Sequence, residues 1–324
     1  MIWIHSKNNE ALKLQLLLRD QRLGGNYHVL TPAIKMATKR KHTKLKSLSY
    51  GRPSTAKPKA SISSKATRTL IRSHHALEKA KTQALAEGNT ALAAVLQSRI
   101  DAQGGIESYQ RASLQGQSHD RGGDSSKILM EWLEPVVPAL KGCVEEGQPL
   151  KLLEVGALSV NNACSRCKLF AVERIDLNSQ GEGILQQDFM ERPLPKDRSE
   201  RFDIISLSLV LNYVPDALGK GKMLLRTLEF LKTPKYTESL EDFLPALFLV
   251  LPAPCVTNSR YMNEAKLEAI MESLGYVNVR KKLSNKLVYY LWRMEEPIAK
   301  PTIIFKKVEI RPGKDRNNFA VVLK

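Results

Sequence analysis

Three apolar runs in this sequence each end in a residue able to hold a small polar ligand. Leu152-Leu153-Glu154-Val155-Gly156 closes the first, and a glycine there lets a ligand approach the backbone just beyond the run. Twenty residues later Asp176 closes Arg174-Ile-Asp-Leu177, where a carboxylate can accept hydrogen bonds from both hydroxyls of a ribose. Asp188, in Gln186-Gln-Asp-Phe189, closes the third run and can meet the exocyclic amine of an adenine. Glu154, two residues before the glycine, is taken with this set as a ligand-binding residue. No second or third glycine and no Gly-Lys-Ser/Thr follows, and an acid near a helix N-terminus disfavours a diphosphate. Adenosine without phosphate, as in S-adenosylmethionine, is the ligand chemistry this set predicts.

A fourth run ends Ser206-Leu-Ser-Leu-Val-Leu-Asn-Tyr-Val-Pro215. In a sheet with these strands that edge faces the reacting methyl group, so Asn212 and Tyr213 are candidate catalytic residues able to hydrogen-bond or stack on a base. The equal alternative is that they only open and pack a helix. Cys164-Ser-Arg-Cys167 has no second pair and no nearby His, so it reads as core or surface cysteine at a helix start rather than a metal or redox site. Four cysteines in a chain this long predict reduced thiols.

The elements that must position these residues alternate. Lys151–Val155, Leu169–Leu177, Gly183–Gln186, Phe202–Leu207 and Ala246–Leu251 are short and nearly continuous in apolar character, as in a parallel sheet covered on both faces. Asn263–Leu274 predicts a helix stopped by Gly275. Val277–Arg280, Leu287–Trp292 and Pro301–Val308 predict closing antiparallel strands. The order is that of a doubly wound α/β sheet. Before it, Arg68–Asp101 predicts two helices joined by a Gly-Asn turn. The polar, Gly-rich stretch Gly104–Lys127 reads as a loop covering a pocket, the alternative being a plain surface loop. It ends in Asp124-Ser125-Ser126, suited to cap a following helix.

Charge divides the chain. Of 324 residues, the first 130 carry 22 Lys+Arg against 8 Asp+Glu, whereas the rest carry 28 against 25. From Lys35 to Lys81 there are 14 basic residues and one acid, Glu78, which suits a flexible arm that contacts a polyanion or carries a nuclear address. Met36 opens that tract and is a candidate start; the residues before it are assigned no function. No apolar stretch reaches the roughly 18 residues of a membrane-spanning helix, and Met1–Leu18 lacks the order of a signal peptide.

Glu154-Val-Gly-Ala-Leu158, Arg174-Ile-Asp-Leu-Asn178, Asp203–Pro215, and the block from Tyr109-Gln-Arg-Ala-Ser to Arg121-Gly-Gly-Asp-Ser-Ser-Lys127 together resemble the fungal 25S ribosomal RNA adenine-N(1)-methyltransferase family. The resemblance covers about residues 37–324. It implies a Rossmann-like class I methyltransferase sheet (131–324), an N-terminal helical subdomain with its cover loop (66–130), and a disordered basic arm (1–65). It further implies an S-adenosylmethionine-dependent enzyme of the nucleus and nucleolus that acts on 25S rRNA or pre-60S particles, as a monomer, without metal or membrane. Gly156 and Asp176 match the family's cofactor positions. The chain lacks a Gly-x-Gly-x-Gly loop, and it lacks the Asp/Asn-Pro-Pro-Tyr motif of enzymes that methylate exocyclic amines, which fits a ring-nitrogen target. Animal relatives of the family are S-adenosylmethionine sensors of the TOR pathway. That alternative function gives no reason for the basic arm, and the same arm disfavours a small-molecule methyltransferase.

Overall fold

The computed structural model describes residues 63–116, 123–179, 181–298 and 303–324. Nearly all of the expected basic arm lies outside them. The first described element is helix α1 (Ser64–Ala86), whose N-cap Ser63 accepts the Ala66 N–H at 3.2 Å. The Glu87–Asn89 turn, with Gly88 at φ +72°, leads into α2 (Thr90–Ala102), and Asn89 Oδ1 caps the Leu92 N–H at 3.0 Å. The helix pair predicted between Arg68 and Asp101 is therefore present.

Gly104–Lys127 departs from expectation. It forms helix α3 (Gly105–Gly116) instead of a loop in its first half. Among its described side chains Tyr109 is half-buried and Ala112 fully buried, while Glu107 and Arg111 stay in water. Helix α4 (Ser126–Trp132) follows; Ser125 makes no side-chain cap, and Asp124 Oδ1 accepts the Ser126 N–H at 2.9 Å instead. Helix α5 spans Val137–Glu145.

The sheet comprises β1 (Leu150–Val155), β2 (Phe170–Asp176), β3 (Leu185–Gln186), β4 (Ile204–Ser208), β5 (Ala246–Pro252), β6 (Tyr276–Leu283) and β7 (Leu287–Met294). Their spatial order is β3-β2-β1-β4-β5-β7-β6, parallel except for β7, which runs antiparallel to β5 and to β6. Four short or medium helices punctuate the chain: α6 (Ala163–Arg166), α7 (Ala217–Phe230), α8 (Glu238–Glu241) and α9 (Pro254–Thr257); α10 (Glu264–Ser273) precedes β6. This is a doubly wound, Rossmann-like sheet closed by an antiparallel strand.

Side-chain alternation builds the two layers. Leu153, Ile205, Leu207, Leu247 and Leu249 pack with Leu224 and Leu228 of α7 and with Leu267 and Ile270 of α10. Leu152, Ile204, Phe248 and Val250 pack with Leu129 and Trp132 of α4 and Leu140 of α5. Because β1 neighbours both β2 and β4, the chain winds outward on one side and then on the other. The crevice outside the carboxyl ends of β1 and β4 is the switch point where such sheets hold ligands.

The expected strand at Pro301–Val308 is absent among its described residues; Phe305 makes one isolated antiparallel bridge to Leu323. Ile303, Ile304 and Val308 are left exposed, 56%, 60% and 56%, and the burial at this end of the chain is made further on. Phe319, Val321 and Leu323 enter the α7 layer, and Gly221 admits the Val322 carbonyl so closely that a Cβ would lie 1.9 Å from its oxygen.

Candidate active site

The end of β1 is built for close approach. Gly156 has φ +74°, and a Cβ there would sit 2.6 Å from Val210 Cγ2, so both backbone and space require glycine. The N–H groups of Gly156 and Ala157 both donate to Ile175 O, at 2.8 and 3.1 Å, which sets this turn beside Asp176. Asp176 Oδ1 accepts the Asn178 N–H at 2.9 Å, and Asp188 Oδ1 accepts the Met190 N–H at 2.7 Å. Each acid thus uses one oxygen to fix the turn after its strand; among the described residues nothing donates to the other. Burial pushes the Asp176 carboxyl above the usual aspartate range, opposed by the Asn178 N–H.

Glu154 is 8% exposed. Asn162 Nδ2 donates to its Oε1, while Oε2 is buried without a partner. Burial lifts its pKa to about 7, with Asp124 adding to the shift and Asn162 and Arg174 opposing it.

Asp124 was expected only as a cap, and it does more. Its Oδ1 also takes the Ser126 hydroxyl at 2.6 Å, and its Oδ2 takes the Ala163 N–H at the start of α6. Ser126 Oγ accepts the Cys164 N–H at 3.1 Å, and Ser125 Oγ meets Ser208 Oγ at the end of β4 at 2.7 Å. The Gly-Asp-Ser-Ser turn is thereby tied to the end of β4 and to α6, the helix that follows β1. Cys164 lies buried on α6 and Cys167 at its end, both as free thiols.

On the β4 side, Asn212 Oδ1 is buried with no partner. Burial pushes the Tyr213 phenol pKa up, opposed by the neighbouring Tyr109 and Asn212 side chains. The Tyr213 ring, 36% exposed, stacks on His75 of α1 with centroids 4.1 Å apart and a 20° tilt. Tyr109 of α3 stands edge-on to both rings, at 6.2 Å from Tyr213 and 5.1 Å from His75, and stacks on His74 at 4.7 Å. Burial lowers the His75 pKa to about 4, and His74 adds to it, so the ring is neutral at physiological pH.

The structure therefore sets Gly156, Asp176 and Asp188 on adjoining strand ends, with Glu154 beneath them and Asn212-Tyr213 across the switch point. Sequence reasoning missed His74 and His75, whose partners are far away in the chain. The His-His pair on the face of a predicted helix that must pack on something was the signal available.

A family model described as 25S rRNA (adenine(2142)-N(1))-methyltransferase, Bmt2, matches residues 94–321. The chain belongs to this family. The adenine-N(1) methyltransferase family relatives include the 25S rRNA adenine-N(1) methyltransferase of Schizosaccharomyces pombe, 45% identical over 217 residues, covering 67% of this chain and 76% of that protein. The 25S rRNA (adenine(2142)-N(1))-methyltransferase of Saccharomyces cerevisiae is 39% identical over 229 residues, 70% of this chain and 63% of that protein. Among solved structures, a Burkholderia thailandensis 1,6-didemethyltoxoflavin-N1-methyltransferase is similar at 13% identity and a TM-score of 0.36, covering 58% of this chain and 87% of that one. The N-methyltransferase NodS of Bradyrhizobium japonicum is similar at 12% identity and a TM-score of 0.32, covering 51% of this chain and 88% of that one.

Among the described residues no helix is long and apolar enough to cross a membrane, and no group of three or more His, Cys, Asp or Glu could hold a metal ion.

Proposed function

We infer that this chain is an S-adenosylmethionine-dependent enzyme that methylates N1 of an adenine in 25S ribosomal RNA. The observation that carries this reading is that the family match, residues 94–321, contains every strand end of the crevice. The cofactor fits the residues present: a bare backbone at Gly156, acids instead of cations at the strand ends, and an unpartnered buried carboxylate oxygen on Glu154. Asp176 would hold the ribose hydroxyls, Asp188 the adenine amine, and Glu154 the cationic end. When bound, S-adenosylmethionine supplies an electrophilic methyl group on a positively charged sulfur.

Adenine N1 carries an in-plane lone pair and needs no strong base to attack that methyl. The protein's work is to hold the base in line, which is worth up to roughly 7–11 kcal/mol. N1 is hidden in a Watson–Crick pair, so the base must be single-stranded or flipped. Tyr213 would stack on it. Asn212 Oδ1, buried without a partner, would accept the adenine N6–H and would be repelled by the O6 of guanine. The target we propose is the adenine corresponding to position 2142 in the S. cerevisiae relative's name. The basic arm supports action in the nucleolus on pre-60S particles. Both curated relatives are named as methyltransferases, and nothing favours the sensor alternative.

The test is incubation of the purified full chain with unmodified 25S rRNA and methyl-labelled S-adenosylmethionine. Label in 1-methyladenosine at one adenine, with a primer-extension stop there, is the expected result. Label on N6, or none, would overturn the reading.

A further inference from the structure

The aromatic cluster on the helical side of the crevice is not accounted for by cofactor binding. Its central contact, His75 on Tyr213, is face to face at 4.1 Å, which leaves no room for a base between the rings. Two buried polar atoms beside it, His75 Nε2 and Asn212 Oδ1, have no partner, an arrangement that costs free energy unless a ligand completes it. His75 is also carried by helices with a small core of their own: Ala84, Ala93 and Leu96, with Leu77 and Ala80, belong to neither sheet layer. The residue lies before the matched family segment, residues 94–321.

We propose that His75 is a stand-in for the target base: its imidazole covers the face of Tyr213 on which the adenine stacks, and it leaves that face when the base arrives. His75 is thus a positioning residue that keeps the subsite closed to solvent and to bases that cannot displace it. A neutral ring suits the task, since it competes by stacking alone and without attraction to phosphate. The proposal rests on the adenine-N1 reading of the same site.

The experiment compares the full-chain enzyme with its His75→Ala and His75→Phe variants. A stacked aromatic pair is worth enough that its loss should lower KM for a 25S rRNA fragment by roughly two- to tenfold. The turnover number and the dissociation constant of S-adenosylhomocysteine should stay within about twofold. His75→Phe, which keeps a ring on Tyr213, should restore the parent KM, a rescue that mere loosening of the fold would not give. If His75→Ala loses its fold by circular dichroism, His75→Leu replaces it, keeping apolar volume but no ring. An unchanged KM would overturn the proposal, and a raised KM would do so by making His75 a permanent wall of the base site. A second readout needs no methyl transfer: a single-stranded oligonucleotide carrying 2-aminopurine should bind the alanine or leucine variant more tightly than the parent, by fluorescence quenching. If the parent transfers no methyl to rRNA, the functional reading fails, and this binding measurement still decides the role of His75. Equal or weaker binding by the variant contradicts it.

Discussion

The sheet and the helical unit α1–α3 are stabilised in different ways. In β5 every residue from Ala246 to Leu251 is buried, with helices packed on both faces. In the helical unit the core is a few alanines with Leu96 and Leu77, and Leu85, Val95 and Ile106 remain exposed. Apolar burial stabilises by roughly 25 cal/mol per Å², so the sheet resists distortion and the helices do not. The proposed active site lies where the two meet. The acids proposed to bind the cofactor stand on the sheet side, and the rings that cover Tyr213 are carried by the helical side. An enzyme that must keep one ligand in register while admitting a base from a folded RNA gains from this division.

The contrast can be broken first at Asp203. It is 1% exposed, accepts the Lys232 ammonium at 2.7 Å, the Lys151 N–H at 2.7 Å and the Tyr236 hydroxyl at 2.8 Å, and ties β4 to its neighbours. Asp203→Ala leaves a cation and a hydroxyl without their acceptor and should cost about 3–5 kcal/mol of global stability in denaturant unfolding. A loss under ~1 kcal/mol would mean that the sheet is less tightly built than its burial implies.

Asp176→Ala should weaken S-adenosylhomocysteine binding by about a hundredfold, ~2.7 kcal/mol, in calorimetry. Unchanged affinity would remove the ribose assignment. Leu96→Ala should destabilise α1–α3 by about 2 kcal/mol. Hydrogen exchange should then quicken in those helices while the sheet keeps its protection; equal quickening in both would show that they form one cooperative unit.

The smallest effect concerns Glu154. Its folded pKa, about 7, lies above the ordinary value of 4.5, so the folded state holds this proton to higher pH than the unfolded chain does. Stability on its account is therefore highest below pH 4.5 and falls as pH rises through 7. Glu154→Gln should raise stability by about 1–2 kcal/mol at pH 8, with the difference vanishing near pH 4, while weakening cofactor binding. A variant less stable than the parent at pH 8 would indicate that the carboxylate has a cationic partner in the protein itself.

Much of this was legible in the sequence, for a physical reason. Buried parallel strands are apolar on both faces, so β1, β2, β4 and β5 stand out as runs, and topology then gathers their ends. Gly156, Asp176, Asp188 and Asn212-Tyr213 could be named because each follows such a run. Contacts made across the chain left no local trace. Asp124 reaches Ala163, 39 residues on, and His75 of α1 reaches Tyr213 beyond β4. Helix α3 was hidden by its polar composition. Pro301–Val308 looked like a strand because Ile303, Ile304, Phe305 and Val308 are β-forming side chains, and composition does not reveal that no partner strand pairs with them and that three of the four stay exposed.

The most direct test of the account is mass spectrometry of 25S rRNA from cells lacking this gene, carrying either the parent gene or its Asp176→Ala variant. The account predicts loss of one 1-methyladenosine, restored by the parent and not by the variant. Full retention of every 1-methyladenosine in the absence of the gene would contradict it.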